Sequence, residues 1–189
     1  LLDWSISDEE DDSNPWVFPA ITLNEDEYML LWASNKNRGQ LTYPRTLITE
    51  GNLFKYITPS SSISNNWTSV NYNDNSWFEG SSGFGYSDGD DNTNISYGTL
   101  SVFIRKDFTI SDINNIVSLI LDIDYDDGFV AYINGTEVAR ANINGSPPAY
   151  NATTYSASEA QIYSGGYPER FFIDNFQNIL IEGTNTLSI

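Results

Sequence analysis

The chain contains no cysteine and no histidine. No disulfide, no thiolate nucleophile and no thiolate or imidazole metal site can form. The Ser-His-Asp and Cys-His forms of nucleophilic catalysis are excluded with them. Cations are scarce as well: 8 Lys and Arg stand against 26 Asp and Glu, a formal net charge of -18. Such a surface repels phosphate, so nucleic acid and anionic membrane are expected to be poor partners. Cations, neutral glycans or a salty medium would suit it. No run of about 18 apolar residues occurs, so no membrane insertion is expected, and no signal peptide is recognisable.

What is present is strand-forming. Hydrophobic residues make up 40% of the 189 and aromatics 14%, mostly Tyr and Phe, enough to bury a core. The clearest stretch runs from Leu121 to Gly135. It alternates apolar and acidic residues, turns at Asp126-Asp127-Gly128, and turns again at Asn134-Gly135. Period-2 alternation predicts strands with one buried face. Asn-Gly between apolar runs predicts a tight hairpin, since both turn residues need positive φ. Val117–Tyr125, Phe129–Ile133 and Thr136–Ala141 therefore read as a three-stranded antiparallel meander. Further strands are expected at Leu53–Ile57, Leu100–Phe108, Phe171–Ile173 and from Gly183 onward. No helix is convincing; the best stretch, Ser111–Ile120, is short and rich in β-branched residues and Asn. The expected class is all-β, a two-layer sandwich. Its long polar segments would be functional loops.

Two acidic clusters could bind a metal. Asp124, Asp126 and Asp127, with Asp122 two residues before Asp124, form an acidic corner, and residues two apart on a strand share a face. Asp88-Gly89-Asp90-Asp91-Asn92 imitates the start of a calcium loop, although Thr93 stands where an EF-hand needs glycine and Thr99 where it needs the bidentate Glu. Calcium takes about 6–8 hard oxygens in irregular geometry, so Asp88, Asp90, Asp91, Asp124, Asp126 and Asp127 are its candidate ligands. The competing reading is turn chemistry, with Asp side chains bonding nearby backbone. Asp8–Asp12 reads as a solvated acidic loop.

A sugar platform would need exposed aromatics with hydroxyl-binding neighbours. Trp67, Trp77, Tyr86 and Tyr150 lie in polar loop-like sequence, as do Tyr97, Tyr155 and Tyr163, and the first four are candidate ligand contacts. Anchoring under loops is the competing role, and it is favoured for most of them. Arg105 is a further candidate, with pairing to a carboxylate its favoured role. No catalytic residue is assigned. A carboxylate glycosidase is the enzyme alternative, disfavoured because the acids lie in loop-like sequence rather than apolar pockets.

Two family likenesses follow from these residues. Trp4-Ser5-Ile6-Ser7-Asp8, Trp16-Val17-Phe18-Pro19 and Tyr28–Ser34 resemble the second half of a bacterial lamin-tail domain, an immunoglobulin-like sandwich, over residues 1–38. Trp77-Phe78-Glu79-Gly80, Gly83–Asp90, Phe103–Phe108, Asp126–Phe129, Tyr132–Gly135 and Glu137–Arg140 resemble a galactose-binding-like jelly roll. The expected organisation is thus a partial lamin-tail segment over 1–38, a linker over 39–52 and a jelly-roll module over 53–189. Both ends fall within strand-like pattern, so a fragment is expected, with the module's last strand lying beyond Ile189. The likeness implies an extracellular or cell-surface module of a larger secreted protein of the Bacteroidetes type. Its expected role is non-catalytic, calcium-stabilised binding of carbohydrate, or adhesion. A structural spacer that touches only neighbouring domains is the alternative.

Overall fold

A computed structural model describes residues 5–6, 16–17, 22, 45–86 and 91–189. The chain divides into two compact units, Leu1–Thr46 and Leu47–Ile189, and the boundary falls inside the linker expected over 39–52. In the first unit, β1 (Ser5–Ile6) pairs antiparallel with β2 (Trp16–Val17). The remainder of the lamin-tail likeness, and the acids Asp8–Asp12, lie outside the described residues.

The second unit is all-β. Its strands are β3 (Leu53–Ile57), β4 (Phe78–Ser81), β5 (Phe84–Gly85), β6 (Thr93–Asn94), β7 (Phe103–Ile110), β8 (Ile120–Ile123), β9 (Phe129–Ile133), β10 (Thr136–Ala141), β11 (Glu169–Phe172) and β12 (Gly183–Ser188). Six of them form one antiparallel sheet in the order β10-β9-β12-β7-β3-β4. β8 and β11 form a separate antiparallel ribbon, and β5 and β6 a short parallel pair. The only helical pieces among the described residues are 3-10 turns, one of them at Ile113–Asn115 within the stretch Ser111–Ile120. None is long and apolar enough to cross a membrane.

Cross-strand partners share a face, so the registers sort the large sheet into two sides. Phe108, Ile110, Phe129, Ala131, Ile133 and Leu187 lie on one side and form the main core with Ile173, Phe176 and Leu180. The β8–β11 ribbon closes over that side with Leu121, Ile123 and Phe171; the Phe171 ring meets Phe129 edge-on at 5.3 Å. Leu47 and Ile48, inside the expected linker, also pack against this core. Val130 and Tyr132 lie on the opposite side and form a second core with Trp67 and Trp77. β9 is therefore covered on both faces, which is why Phe129–Ile133 is a continuous apolar run.

One expected connection is corrected. β9 and β10 form the Asn-Gly hairpin, with Asn134 at φ 53° and Gly135 at φ 86°. β8, however, pairs with β11 and not with β9. Asp126-Asp127-Gly128 is a crossover between layers, not a hairpin turn. Asp127 sits at φ 61°, and its N–H donates to the Ser158 carbonyl at 2.7 Å, outside any ladder with β9. The two runs flanking it face the same core from opposite layers, so both are apolar there without being adjacent strands.

The middle of the large sheet is held by side-chain polar bonds. β12 lies between β9 and β7, yet it reads Gly-Thr-Asn-Thr-Leu-Ser. Asn185 and Thr186 are wholly buried. The Asn185 amide oxygen accepts from the Asn134 side chain at 2.7 Å and from Ile181 N–H at 2.9 Å. Its nitrogen donates to the Ile181 carbonyl at 2.7 Å and the Gly183 carbonyl at 3.1 Å. Asn134 in turn accepts from Thr186 N–H at 2.9 Å, and the Thr186 hydroxyl donates to Asp107 at 2.7 Å. Every donor and acceptor of the Asn185 amide is satisfied, so its burial carries little desolvation penalty. Removing that amide leaves several buried groups orphaned. Asn185→Ala is expected to lower the unfolding free energy by about 2–3 kcal/mol, against about 0.5 kcal/mol or less for the exposed Asn178→Ala. Urea denaturation of both variants measures this, and equal midpoints would refute the role given to Asn185.

Candidate functional site

The sequence-predicted residues scatter when placed in the fold. Trp67 sits in the 3-10 turn Asn65–Thr68 and is buried, as is Trp77. Their rings lie 6.1 Å apart, and Trp67 stacks on Phe103 at 4.6 Å. Both are core anchors beneath the loop that joins β3 to β4, facing the sheet and not a ligand. This is the tucked role that an aromatic beside polar loop sequence adopts when a sheet face has to be covered.

Arg105 is likewise interior, only 3% exposed. Its Nε donates to Asp74 at 2.8 Å, and its Nη1 donates to the Ser69 carbonyl at 3.1 Å and to the Trp67 carbonyl. The guanidinium carbon lies 5.3 Å from the centre of the Tyr72 ring. A buried cation persists only when charge and donors are matched, and here the Trp loop supplies the match. Arg105 ties that loop to β7, which corrects its candidacy as a ligand contact. Lys106, its neighbour on the strand, lies on the opposite face of the sheet.

The acidic corner also has structural work. Asp122 on β8 forms a two-pronged ion pair with Arg170 on β11, both bonds at 2.7 Å. Asp124 accepts from the backbone N–H groups of Gln161 and Ile162, each at 2.8 Å at closest approach. Asp127 accepts from Ser158 N–H at 3.3 Å, and its own carbonyl accepts from the Asn142 side chain at 2.8 Å. These carboxylates fasten the segment 156–164 to the crossover, the turn chemistry that competes with calcium at such sequences. Among the described residues no group of three or more carboxylates is placed to hold a cation. Asp88 and Asp90 lie outside the described residues; Asp91, beside them, is half-buried, and Asp126 is exposed.

Tyr150 stands elsewhere. It is half-buried on the wall of a cleft of about 360 Å³ lined by Thr58, Pro59, Ser60, Gly98, Thr99, Leu100 and Asn151. Three loops meet there: the one leaving β3, the one entering β7, and the segment after β10. The Ser101 hydroxyl donates to the Tyr150 carbonyl and fixes that segment against the strand entrance. Tyr97, immediately before Gly98, is 85% exposed and meets half-buried Tyr86 edge-on at 5.5 Å. The lining offers hydroxyls, an amide, two aliphatic surfaces and one aromatic ring. It holds no charged side chain, on a molecule whose net charge is -18. A second hollow of about 450 Å³, lined by Ile113, Asn114, Ile116, Gln177 and Glu182, carries one carboxylate and no aromatic.

Sequence reasoning found Tyr150 in this cleft and missed Thr58, Ser60, Thr99, Leu100 and Asn151. Thr58, Ser60 and Asn151 belong to segments read as loops and Leu100 to one read as a strand, but no local pattern says that distant segments converge. Comparison with known proteins adds little. No protein-family profile and no curated protein matches the chain. Among solved structures, a β-glycosidase from Bacteroides vulgatus aligns with a TM-score of 0.40 at 16% identity, over 76% of this chain and 17% of that one.

The Asp122–Arg170 pair has a pH signature. The hydrogen bonds from Arg170 hold the Asp122 carboxyl below its ordinary value. A depressed folded value gives stability that is present above the unfolded pKa, about 3.9, and that is lost as pH falls through the lower folded value. Both side chains are partly exposed, so the effect is screened and small. Asp122→Asn is expected to lower the urea midpoint at about pH 6, with the gap to the parent protein narrowing by about pH 3. A gap of the same size at both values would show that the ion pair does not cause it.

Proposed function

We propose that the Leu47–Ile189 unit is a non-catalytic carbohydrate-binding module that takes a neutral sugar in the cleft walled by Tyr150. The single observation behind this reading is the uncharged, hydroxyl-rich lining with one aromatic residue on a strongly acidic molecule. Sugars bind by stacking their C–H faces on a ring while amides and hydroxyls meet their hydroxyls. Thr58, Ser60, Thr99 and Asn151 supply the second kind of contact, and Tyr150 the first. An anionic sugar would meet the repulsive field of the surface.

The lining contains no carboxylate, whereas glycoside hydrolysis uses two flanking the scissile bond. Binding without bond cleavage therefore fits the cleft. The calcium expected from the acidic loops is no part of it either. The acidic surface and the jelly-roll likeness favour a place outside the cell, within a larger secreted or surface protein. A spacer role is the second reading. Its support is the outer face of the β8–β11 ribbon, where Phe172 stays 66% exposed beside Ile120, a surface suited to a neighbouring domain.

The test is a panel of neutral and acidic oligosaccharides, with titration calorimetry on any that bind. Neutral members are expected to bind, and Tyr150→Ala to weaken them by about tenfold or more, roughly the 1.4 kcal/mol of a lost stacking contact. A chelator is expected to leave binding intact, since the lining has no carboxylate to anchor a hard cation. No binding at millimolar sugar, or binding unchanged in Tyr150→Ala, would remove the sugar reading and leave the spacer.

A further inference from the structure

Two Asn-Gly pairs occur in the second unit, Asn134-Gly135 and Asn144-Gly145. An asparagine followed by glycine is open to attack on its side-chain carbon by the next backbone nitrogen, because glycine offers no side chain to shield that nitrogen. The fold places the two pairs in opposite circumstances. Asn134 is the left-handed residue of the β9–β10 turn. Its side-chain nitrogen donates to the Ile179 carbonyl at 2.9 Å and to Asn185 at 2.7 Å, and its oxygen accepts from Thr186 N–H at 2.9 Å. Rotation of its side-chain carbon toward Gly135 N would break all three bonds.

Asn144 is exposed in the irregular segment after β10, and its side chain makes no hydrogen bond among the described residues. The peptides around it are nonetheless held in place. Arg140 Nη1 donates to the Ile143 carbonyl at 3.0 Å and the Gly145 carbonyl at 2.8 Å, while its other nitrogens pair with Glu137. A cation thus lies against the stretch in which a negative charge would develop. Its charge, shared with Glu137, partly offsets that of a deprotonated Gly145 nitrogen and of the oxyanion formed when that nitrogen adds to the amide.

We infer that Asn144 is a site of spontaneous, self-catalysed modification, and that the fold protects Asn134 from the same reaction. The Gly145 nitrogen gives its proton to solvent and bonds to the side-chain carbon of Asn144. The carbon–nitrogen bond of the amide breaks, and ammonia departs. The cyclic imide left behind is opened by water at either carbonyl, which yields an aspartate or an isoaspartate at this position. No electrons are transferred, and water is the only co-reactant. The product adds one negative charge to the loop, beside a guanidinium already shared with Glu137. This site is separate from the proposed sugar cleft, and neither depends on the other.

The experiment is incubation of the whole chain in mildly alkaline buffer, followed by proteolysis and mass spectrometry that resolves aspartate from isoaspartate. In the folded protein, conversion at Asn144 is expected to exceed that at Asn134 by about tenfold or more, since local structure sets the protection. In urea the two should converge to within about twofold, because structure then protects neither. Asn144→Gln should abolish the acidic species that anion exchange separates from the parent. Asn185→Ala, with its fold checked by circular dichroism, should raise conversion at Asn134 alone. Equal rates in the folded state, Asn134 reacting first, or an acidic species that persists in Asn144→Gln would each overturn the inference.

Discussion

The architecture depends on a buried amide. A sandwich of this size normally puts its most apolar strand at the centre of the sheet, but here the strand between β9 and β7 is Gly-Thr-Asn-Thr-Leu-Ser. Four of its six residues are buried, and three of those are polar: Asn185, Thr186 and Ser188. The Ser188 hydroxyl finds no partner among the described residues, so the burial is tolerable only because the partners of the other two are fixed in advance. Asn185 provides this by bonding three carbonyl or amide groups of the 181–183 approach and the side chain of Asn134. The Asn-Gly turn is consequently more than a reversal. Its asparagine reaches past its own hairpin to the neighbouring strand, so the β9–β10 register and the β12 register are set together. A slip in one would orphan groups in the other, which favours a single register over its alternatives.

A second economy governs the charges. The chain has few cations, and three of the four described arginines, Arg105, Arg140 and Arg170, each hold a loop or a strand pair. Arg105 carries the Trp-bearing loop, Arg140 the segment after β10, and Arg170 the ribbon edge. Where no cation is at hand, carboxylates use backbone instead: Asp124 and Asp127 capture N–H groups of the 158–162 segment. Long polar loops thereby become ordered without apolar anchors. A carboxylate that already accepts two N–H bonds, as Asp124 does, has its charge compensated by the backbone it holds.

Much of this was legible from the chain, and the failures have a common physical source. Local strand-like pattern located β3, β7, β9 and β12, and Asn134-Gly135 fixed a tight hairpin, because both signals are local. The all-β class followed from the same patterns. The pairing of β8 with β11 was not legible, since 48 residues separate partners such as Asp122 and Arg170 and alternation does not name a neighbour. Nor could sequence show that Trp67 and Trp77 would be interior. Their polar surroundings are those of an exposed aromatic and of a buried anchor alike. Arg105 suffered the same ambiguity, since its partner Asp74 lies in a different loop. Tyr150 emerged in a cleft, but the hydroxyls beside it come from two further loops whose convergence is a property of the fold.

These two constraints together explain where an uncharged surface is left. Charges are drawn to loop fasteners on the ribbon side, where Asp122, Asp124, Asp127, Glu169 and Arg170 cluster along β8 and β11. The loop entering β7 and the segment after β10 are tied by hydroxyl-to-carbonyl bonds instead, from Thr99 to Ser96 and from Ser101 to Tyr150. Such closure needs no carboxylate, so the cleft between those loops stays neutral within a molecule of high negative charge. A neutral polar ligand meets there the least unfavourable desolvation on the surface, because no ion must lose water to admit it. The selectivity argued for the cleft thus follows from how its loops are tied, not from any residue placed there to read a sugar.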